Sequence, residues 1–249
     1  MRVHDNALLR MLEPESGARL TAVGALVAYP TGTILLEPDD LADAIHFPLG
    51  ASLAAQLVTL EGGASAESAQ IGRDGVIGLP TGDIPTPAFA HHIIIQGGTF
   101  LRVTLSDFLT ARQQSPAIAD ITARYAACLA AQNLQSIACN AVHSLEQRTA
   151  RWLLAAAERT GDLYISVTQE QLGALLGAGR SYTSRQIQRF KARDLVRTRR
   201  GGIAITDYDG IAKQACSCHQ RVKDHVKILL HDHLANGTGS SSLDLQSMG

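Results

Sequence analysis

Ser166-Val-Thr-Gln-Glu-Gln-Leu-Gly-Ala-Leu-Leu-Gly-Ala-Gly-Arg-Ser-Tyr-Thr-Ser-Arg-Gln-Ile-Gln-Arg-Phe-Lys-Ala-Arg-Asp-Leu-Val196 is the stretch whose reading decides the fold. Thr168 suits a helix N-cap, and Gln171 three residues later completes a capping box. Leu172, Leu175 and Leu176 supply the inner face of a short first helix. Gly173 lets a second helix cross closely, and Gly177 supplies the positive φ that a tight turn between them requires. The second helix is predicted over about Ser181–Arg193, with Ile187 and Phe190 inward. Arg180, Ser181, Ser184, Arg185 and Arg189 are left outward or at its N-terminal end. This is a helix-turn-helix.

Leu195-Val-Arg-Thr-Arg-Arg-Gly-Gly-Ile-Ala-Ile-Thr-Asp follows at once, with two β-favouring runs around Gly201-Gly202. A hairpin placed there makes the unit a winged helix. The charge agrees. The net charge of −1 hides 7 Arg and Lys against 13 Asp and Glu in residues 1–144, but 11 against 5 in residues 145–205. Between Arg180 and Arg200 stand eight basic side chains and one acid, Asp194. So basic a region on an acidic chain is the footprint of a polyanion partner.

Working outward, residues 17–110 consist of short apolar runs such as Ala25-Leu-Val-Ala-Tyr, Ile93-Ile-Ile-Gln and Thr99-Phe-Leu-Arg-Val. Turn residues such as Glu61-Gly-Gly and Gln96-Gly-Gly separate them, which predicts an antiparallel barrel or sandwich. From Ser115-Pro116 an Ala-rich stretch runs to about Val142 without Gly or another Pro, a helix roughly 40 Å long. On a seven-residue grid Ile118, Tyr125, Gln132 and Cys139 share one seam position, and Ile121, Cys128, Gln135 and Val142 the other. The side carrying Ala126, Leu129, Ala130, Leu134 and Ile137 is apolar as well. A helix apolar on two faces needs two partners: its own barrel and a second copy of itself, the alternative being that both faces are buried within one subunit. The seam Ile118, Ile121, Tyr125, Cys128, Gln132, Gln135 and Cys139 is assigned to the dimer, with the two glutamines fixing register. A helix near Leu145–Arg159 precedes the recognition unit, a last helix near Tyr208–His233 follows it, and the final residues read as a disordered tail. The expected units are 1–114, a β jelly roll; 115–143, the dimerisation helix; 144–235, the winged helix; and 236–249, the tail.

These motifs resemble the Crp/Fnr superfamily of bacterial transcription regulators, over nearly the whole chain. The resemblance rests on His46-Phe-Pro-Leu-Gly, Ile71-Gly-Arg-Asp-Gly-Val-Ile-Gly-Leu, the long helix, Thr168-Gln-Glu-Gln-Leu-Gly with Arg180, Arg199-Arg-Gly-Gly-Ile-Ala-Ile-Thr-Asp, and Ala215-Cys-Ser-Cys-His. It implies an α+β chain with an N-terminal cyclic-nucleotide-binding-like jelly roll, a long dimerisation helix and a C-terminal winged helix. The implied partners are double-stranded DNA, a second copy of the chain, RNA polymerase and an unidentified small-molecule effector. Arg180, Ser181 and Arg185 are the expected base-reading set, with Ser184 and Arg189 beside them. Thr168 and Gln169 suit phosphate contacts at a helix N-terminus, and Arg199 and Arg200 the flanking backbone. Thr183 and Gln186 depart from the pattern, standing where the family has apolar residues.

The jelly roll is not expected to bind a cyclic nucleotide. Family members that do so carry an Arg followed by Ser or Thr after a Gly-Glu turn; Gly82-Asp-Ile-Pro-Thr-Pro-Ala-Phe-Ala-His has no Arg, and Asp83 would repel a phosphate. No cysteine precedes Cys128, which excludes the N-terminal iron–sulfur cluster of the oxygen-sensing branch. Haem ligation through His46, His91 or His92 stands against a structural role for each. Cys216-Ser-Cys-His219 with His225, His231 and His233 invites zinc, but Cys-x-Cys is not finger spacing. On one continuous helix Cys216 and Cys218 would also point to different faces, so these residues are assigned to helix packing. No metal, cofactor or catalytic residue is assigned. An enzyme on a cupin-like barrel, using His46, His91 and His92, is the rival class; it leaves the basic wing unexplained. No apolar run nears the roughly 18–20 residues of a membrane span and the N-terminus lacks an apolar signal segment, so a cytoplasmic protein is expected.

Overall fold

A computed structural model describes residues 5–12, 14–80, 82 and 84–232. Two short helices, α1 (Ala7–Met11) and α2 (Pro14–Val23), lead into seven strands: β1 (Ala25–Tyr29), β2 (Ile34–Leu36), β3 (Ala44–Pro48), β4 (Leu53–Thr59), β5 (Ser65–Ile71), β6 (His91–Gln96) and β7 (Gly98–Thr104). All pairings are antiparallel, in two sheets ordered β1-β7-β3 and β2-β6-β4-β5. Their facing sides enclose Ala54, Ile71, Ile77, Ile94 and Phe100. Strand side chains alternate between faces, so Ala55, Ile93 and Ile95 lie on the opposite face of the second sheet. That face is covered too, which is why β6 reads Ile93-Ile94-Ile95 rather than alternating with polar residues.

Three helices follow: α3 (Leu105–Gln114), α4 (Pro116–Val142) and α5 (Leu145–Thr160). Ser115 caps α4, accepting from the Ile118 amide at 3.3 Å, and Pro116 fills the first turn, where a missing N–H costs nothing. Ser144 and Gln147 form a capping box on α5, and Gly161 ends it at φ 69°. Beyond lie β8 (Tyr164–Ile165), α6 (Gln169–Leu175), α7 (Arg180–Ala192), β9 (Val196–Arg199), β10 (Gly202–Ile205), α8 (Tyr208–Gln214) and α9 (Cys218–Lys227), then a π-helical turn at Ile228–Asp232. Ala55 and Ile95 of the second sheet share one core with Trp152, Leu153, Leu172, Ile187 and Phe190. The C-terminal unit is thus seated on the outer face of that sheet.

Two expectations are corrected. The seam assigned to a partner subunit is turned inward. Ile118, Ile121, Tyr125 and Cys128 are buried against the chain's own Leu101, Val103 and Phe108. Gln132 donates to the Gln70 carbonyl at 3.2 Å and accepts from Arg159 at 2.9 Å; Gln135 donates to Cys218 Sγ at 3.1 Å; Cys139 is fully buried. The physical reason is that this face carries the bulkier side chains, which bury more area against the jelly roll than a row of alanines would. The exposed face of α4 is Ala123, Ala127, Ala130, Leu134, Ile137 and Ala141, spaced alternately four and three residues apart. Second, the last helix is not continuous. Ala215 leaves α8 in an extended conformation (φ −76°, ψ 152°), and α9 restarts at Cys218. The expected tail, 236–249, lies outside the described residues, as do the side chains of His231 and His233.

Candidate nucleic-acid interface

The helix pair α6–α7 is held by local chemistry. Thr168 accepts from the Gln171 amide at 3.1 Å while Gln171 Oε1 accepts from the Thr168 amide at 2.9 Å. Gly177 turns the chain at φ 59°. A Cβ on Gly173 would stand 3.1 Å from the Ala178 carbonyl and 3.3 Å from Thr183 Oγ1, tighter than ordinary contact, so glycine allows this crossing without displacing either neighbour. Thr183 is fully buried in that crossing, and Gln186 accepts from Arg189 at 3.4 Å. These are the two positions where the sequence departs from an apolar pattern.

Arg180, Ser181, Arg185 and Arg189 of α7 are exposed and Ser184 half-buried. Gly179 caps α7 without a side-chain bond, so the Arg180 and Ser181 amides lack intrahelical partners, while the Tyr182 amide donates to the Gly179 carbonyl at 3.0 Å. Arg180 faces Glu170 of α6 at 3.5 Å. The Arg185 guanidinium lies over the Tyr182 ring, 4.5 Å from its centroid, a cation–π contact that holds it against the helix. Arg189 approaches Glu146 of α5 at 3.7 Å, and Arg193 at 2.7 Å. These last two arginines therefore also anchor α7 to α5.

The wing completes the face. β9 and β10 pair from Gly202↔Arg199 to Ile205↔Val196, so the turn is Arg200-Gly201, with Gly201 at φ 79°. That is one residue earlier than the Gly201-Gly202 hairpin read from the sequence. Gly202 opens β10 instead, where a Cβ would overlap the Tyr164 ring. Thr168, Gln169, Arg180, Ser184 and Arg199 line one cleft of about 440 Å³.

Residues 147–213 match the Crp-like helix-turn-helix domain. The chain has a Crp/Fnr-type regulator fold with a Crp-like helix-turn-helix domain. Solved structures similar to it include FixK2 from Bradyrhizobium japonicum, at 15% identity over 78% of this chain and 98% of that one, with a TM-score of 0.66. The c-di-GMP responsive global regulator CLP of Xanthomonas campestris shares 14% identity over 78% and 99%, TM-score 0.62. TTHA1359, a regulator of the CRP/FNR family from Thermus thermophilus, shares 18% over 77% and 98%, TM-score 0.61. At these identities the likeness is one of fold. Among curated proteins none matches the sequence.

The Crp-like domain is coupled to the jelly roll by polar contacts as well as by the shared core. Trp152 Nε1 donates to Glu67 at 2.7 Å, and the Ser166 amide donates to Gln96 at 2.9 Å. Within the C-terminal unit itself, Arg148 donates to the Leu176 carbonyl at the turn between α6 and α7. Glu158 accepts from Tyr208 at 2.6 Å, His219 at 2.9 Å and Lys223 at 3.0 Å. Burial opposes its ionisation, but those donors prevail and hold its carboxyl well below the usual range.

A cavity of about 260 Å³ in the jelly roll is lined by Leu36, Gln56, Val76, Leu79, Phe89 and His92 among others, and by no Lys or Arg among the described residues. The three histidines are partnered separately. His46 Nε2 lies 3.1 Å from the Tyr29 hydroxyl, His91 pairs with Glu37 at 2.6 Å, and His92 lies 3.3 Å from Gln56. Burial lowers both His46 and His92 to about 4, so each is neutral at pH 7.

Two features escaped the sequence reading. Tyr182, 60% exposed beside Arg185, sits three residues before it, a helical spacing that would have flagged the pair. Cys139 and His143 stand one turn apart at the end of α4, and Cys216 and Cys218 come to meet them: the ligand atoms of all four lie within 4.8 Å of one another.

Among the described residues, no helix is long and apolar enough to cross a membrane.

Proposed function

We propose that this protein is a homodimeric, sequence-specific transcription regulator of the Crp/Fnr type, without catalytic activity, acting in the cytoplasm. The observation that supports this reading is the cleft lined by Thr168, Gln169, Arg180, Ser184 and the wing residue Arg199, with Ser181 and Arg185 exposed on the same helix and Arg200 in the wing turn. Arg180 and Arg185 supply bidentate forks for guanine, the first-turn amides of α6 and α7 suit phosphates, and the wing arginines suit the flanking backbone. Such a helix enters the major groove with its N-terminal end toward the bases.

The dimer is formed through Ala123, Ala127, Ala130, Leu134, Ile137 and Ala141. Their spacing is that of a coiled-coil seam, and the alanines permit close approach of two helices. Two copies would read half-sites about 34 Å apart in a near-palindromic operator, and RNA polymerase is the expected downstream partner. The effector site is the jelly-roll cavity. Lacking a basic lining among the described residues, it suits an uncharged small molecule rather than a cyclic nucleotide.

Selection of bound fragments from genomic DNA, followed by binding titrations, tests the reading. The expected result is a near-palindromic site bound at least a thousandfold more tightly than random duplex. A monomer in solution, or indifference to duplex DNA at low salt, would overturn it.

A further inference from the structure

We propose that Cys139, His143, Cys216 and Cys218 form a tetrahedral site for one thiophilic divalent cation, zinc in the first instance, which staples the DNA-binding domain at its base. This inference is independent of which DNA the protein binds.

The residue types are three thiols and one imidazole, a set used for structural zinc. Geometry agrees with the types. A tetrahedral ion with bonds of about 2.3 Å to sulfur and 2.0–2.1 Å to nitrogen places its ligand atoms roughly 3.5–3.8 Å apart. Cys139 Sγ and Cys216 Sγ are 3.5 Å apart, and Cys218 Sγ lies 3.5 Å from His143 Nδ1. All four ligand atoms fall within 4.8 Å of one another, so a single ion fits better than a cluster with bridging sulfides. The three sulfurs are buried in a small cluster of their own, apart from the other cores.

Local structure builds the site from two directions. Cys139 and His143 project from one side of the end of α4, being four residues apart. The break between α8 and α9 allows Cys216 and Cys218 to converge. With Ala215 extended and Ser217 at φ −69°, ψ −3°, they are not on a common helix and do not diverge as helical i, i+2 neighbours do.

The surroundings suit a bound cation as well. On binding, the three thiols release three protons to solvent, and the thiolates and neutral imidazole donate lone pairs to the ion. Three negative charges and two positive leave the site at −1. Arg148 and Arg151 supply the countercharge: both act electrostatically on Cys139, and the Nε of each is buried without a hydrogen-bond partner. Gln135, one turn before Cys139, donates its amide to Cys218 Sγ at 3.1 Å. An N–H donor to a ligating sulfur is the outer-shell contact that orients a thiolate ligand.

The position gives the site a purpose. The Crp-like domain spans residues 147–213; two ligands precede it and two follow it. A cation held by all four closes the domain's chain at its base and pins it to the end of α4, whose exposed stripe is the proposed dimer seam. Orientation of the recognition helix relative to that rod would then depend on the metal.

The test is metal analysis of the full-length protein purified under reducing conditions without chelator, together with cobalt substitution. One zinc per chain is expected, and a cobalt form with intense thiolate-to-cobalt charge-transfer bands and the visible bands of tetrahedral cobalt. Cys139→Ser, His143→Ala and Cys218→Ser should each lower metal content at least tenfold, while Cys128→Ser, a buried cysteine outside the cluster, retains one equivalent. Metal-free wild-type protein, an octahedral cobalt spectrum, a Cys139–Cys216 disulfide in the reduced preparation, or full occupancy in Cys218→Ser would each overturn the proposal. The wild-type cobalt spectrum decides the matter even where a cysteine variant fails to fold.

Discussion

The indole Nε1 of Trp152 donates to Oε2 of Glu67 across 2.7 Å, joining α5 of the C-terminal unit to strand β5 of the jelly roll. The carboxyl sits beneath the helix, and burial pushes it up to about 7; the Trp152 bond and the charges of Arg151 and Arg159 only partly offset that. Between about pH 4.5 and 7 the folded chain holds a proton that the unfolded chain has released. Stability attributable to Glu67 therefore falls as pH rises through that window. The buried neutral His46 and His92, both lowered to about 4, act in the opposite sense below about pH 6.5, so the Glu67 contribution is read as a difference between variants. Glu67→Gln keeps an acceptor for Trp152, and denaturant melts should show it losing less stability, or gaining more, than the wild type from pH 5 to pH 8; an identical pH dependence in the two proteins would remove Glu67 as a contributor.

Base reading and backbone holding separate by mutation. Arg185→Ala should lower affinity for the selected operator by about 5- to 150-fold, the range of one bidentate pair, with little change on random duplex. Arg200→Ala, at the wing tip, should weaken both alike and reduce the salt slope by about one. Fluorescence anisotropy on the two duplexes across a salt series measures both. Equal losses in Arg185→Ala would make that residue a phosphate contact.

Glu170 places a carboxylate beside Arg180 on the side proposed to face DNA, both residues being exposed. A phosphate arriving there meets repulsion from Glu170 and an arginine already paired. Glu170→Gln should therefore tighten binding to random duplex a few-fold at low salt, with the gain fading as ionic strength rises. A gain that persists at high salt would point to some other cause.

The two apolar faces of α4 make opposite predictions. Leu134 and Ile137 are 69% and 68% exposed, so Ile137→Glu should leave the fold intact and convert dimer to monomer in sedimentation velocity. Ile121 is buried against the jelly roll, so Ile121→Ala should cost about 2–5 kcal/mol of stability and leave the association state of the folded protein alone. The reverse outcome would return the seam to its sequence-based register.

Much of the helix-turn-helix was legible because local chemistry builds it. A capping box needs only Thr168 and Gln171, a tight turn uses Gly177, and a close crossing is eased by Gly173; each lies within a few residues of what it controls. The jelly roll was legible for the same reason, since strand runs and turn residues alternate along the chain. Its face-to-face use was less so: β6 is apolar on both sides because a second domain covers its outer face, a fact about residues more than 50 positions away.

The amino-acid order alone thus determined that α4 is a long helix with two apolar faces, and that a basic recognition helix and wing follow it. Which face turns inward was decided by tertiary packing. Both seams have coiled-coil spacing, and only the area each buries against the jelly roll distinguishes them. The meeting of Cys139 and His143 with Cys216 and Cys218 was decided there too. It requires the chain to close a loop of more than seventy residues and the last helix to break at Ala215, and no periodicity within either segment encodes such a closure.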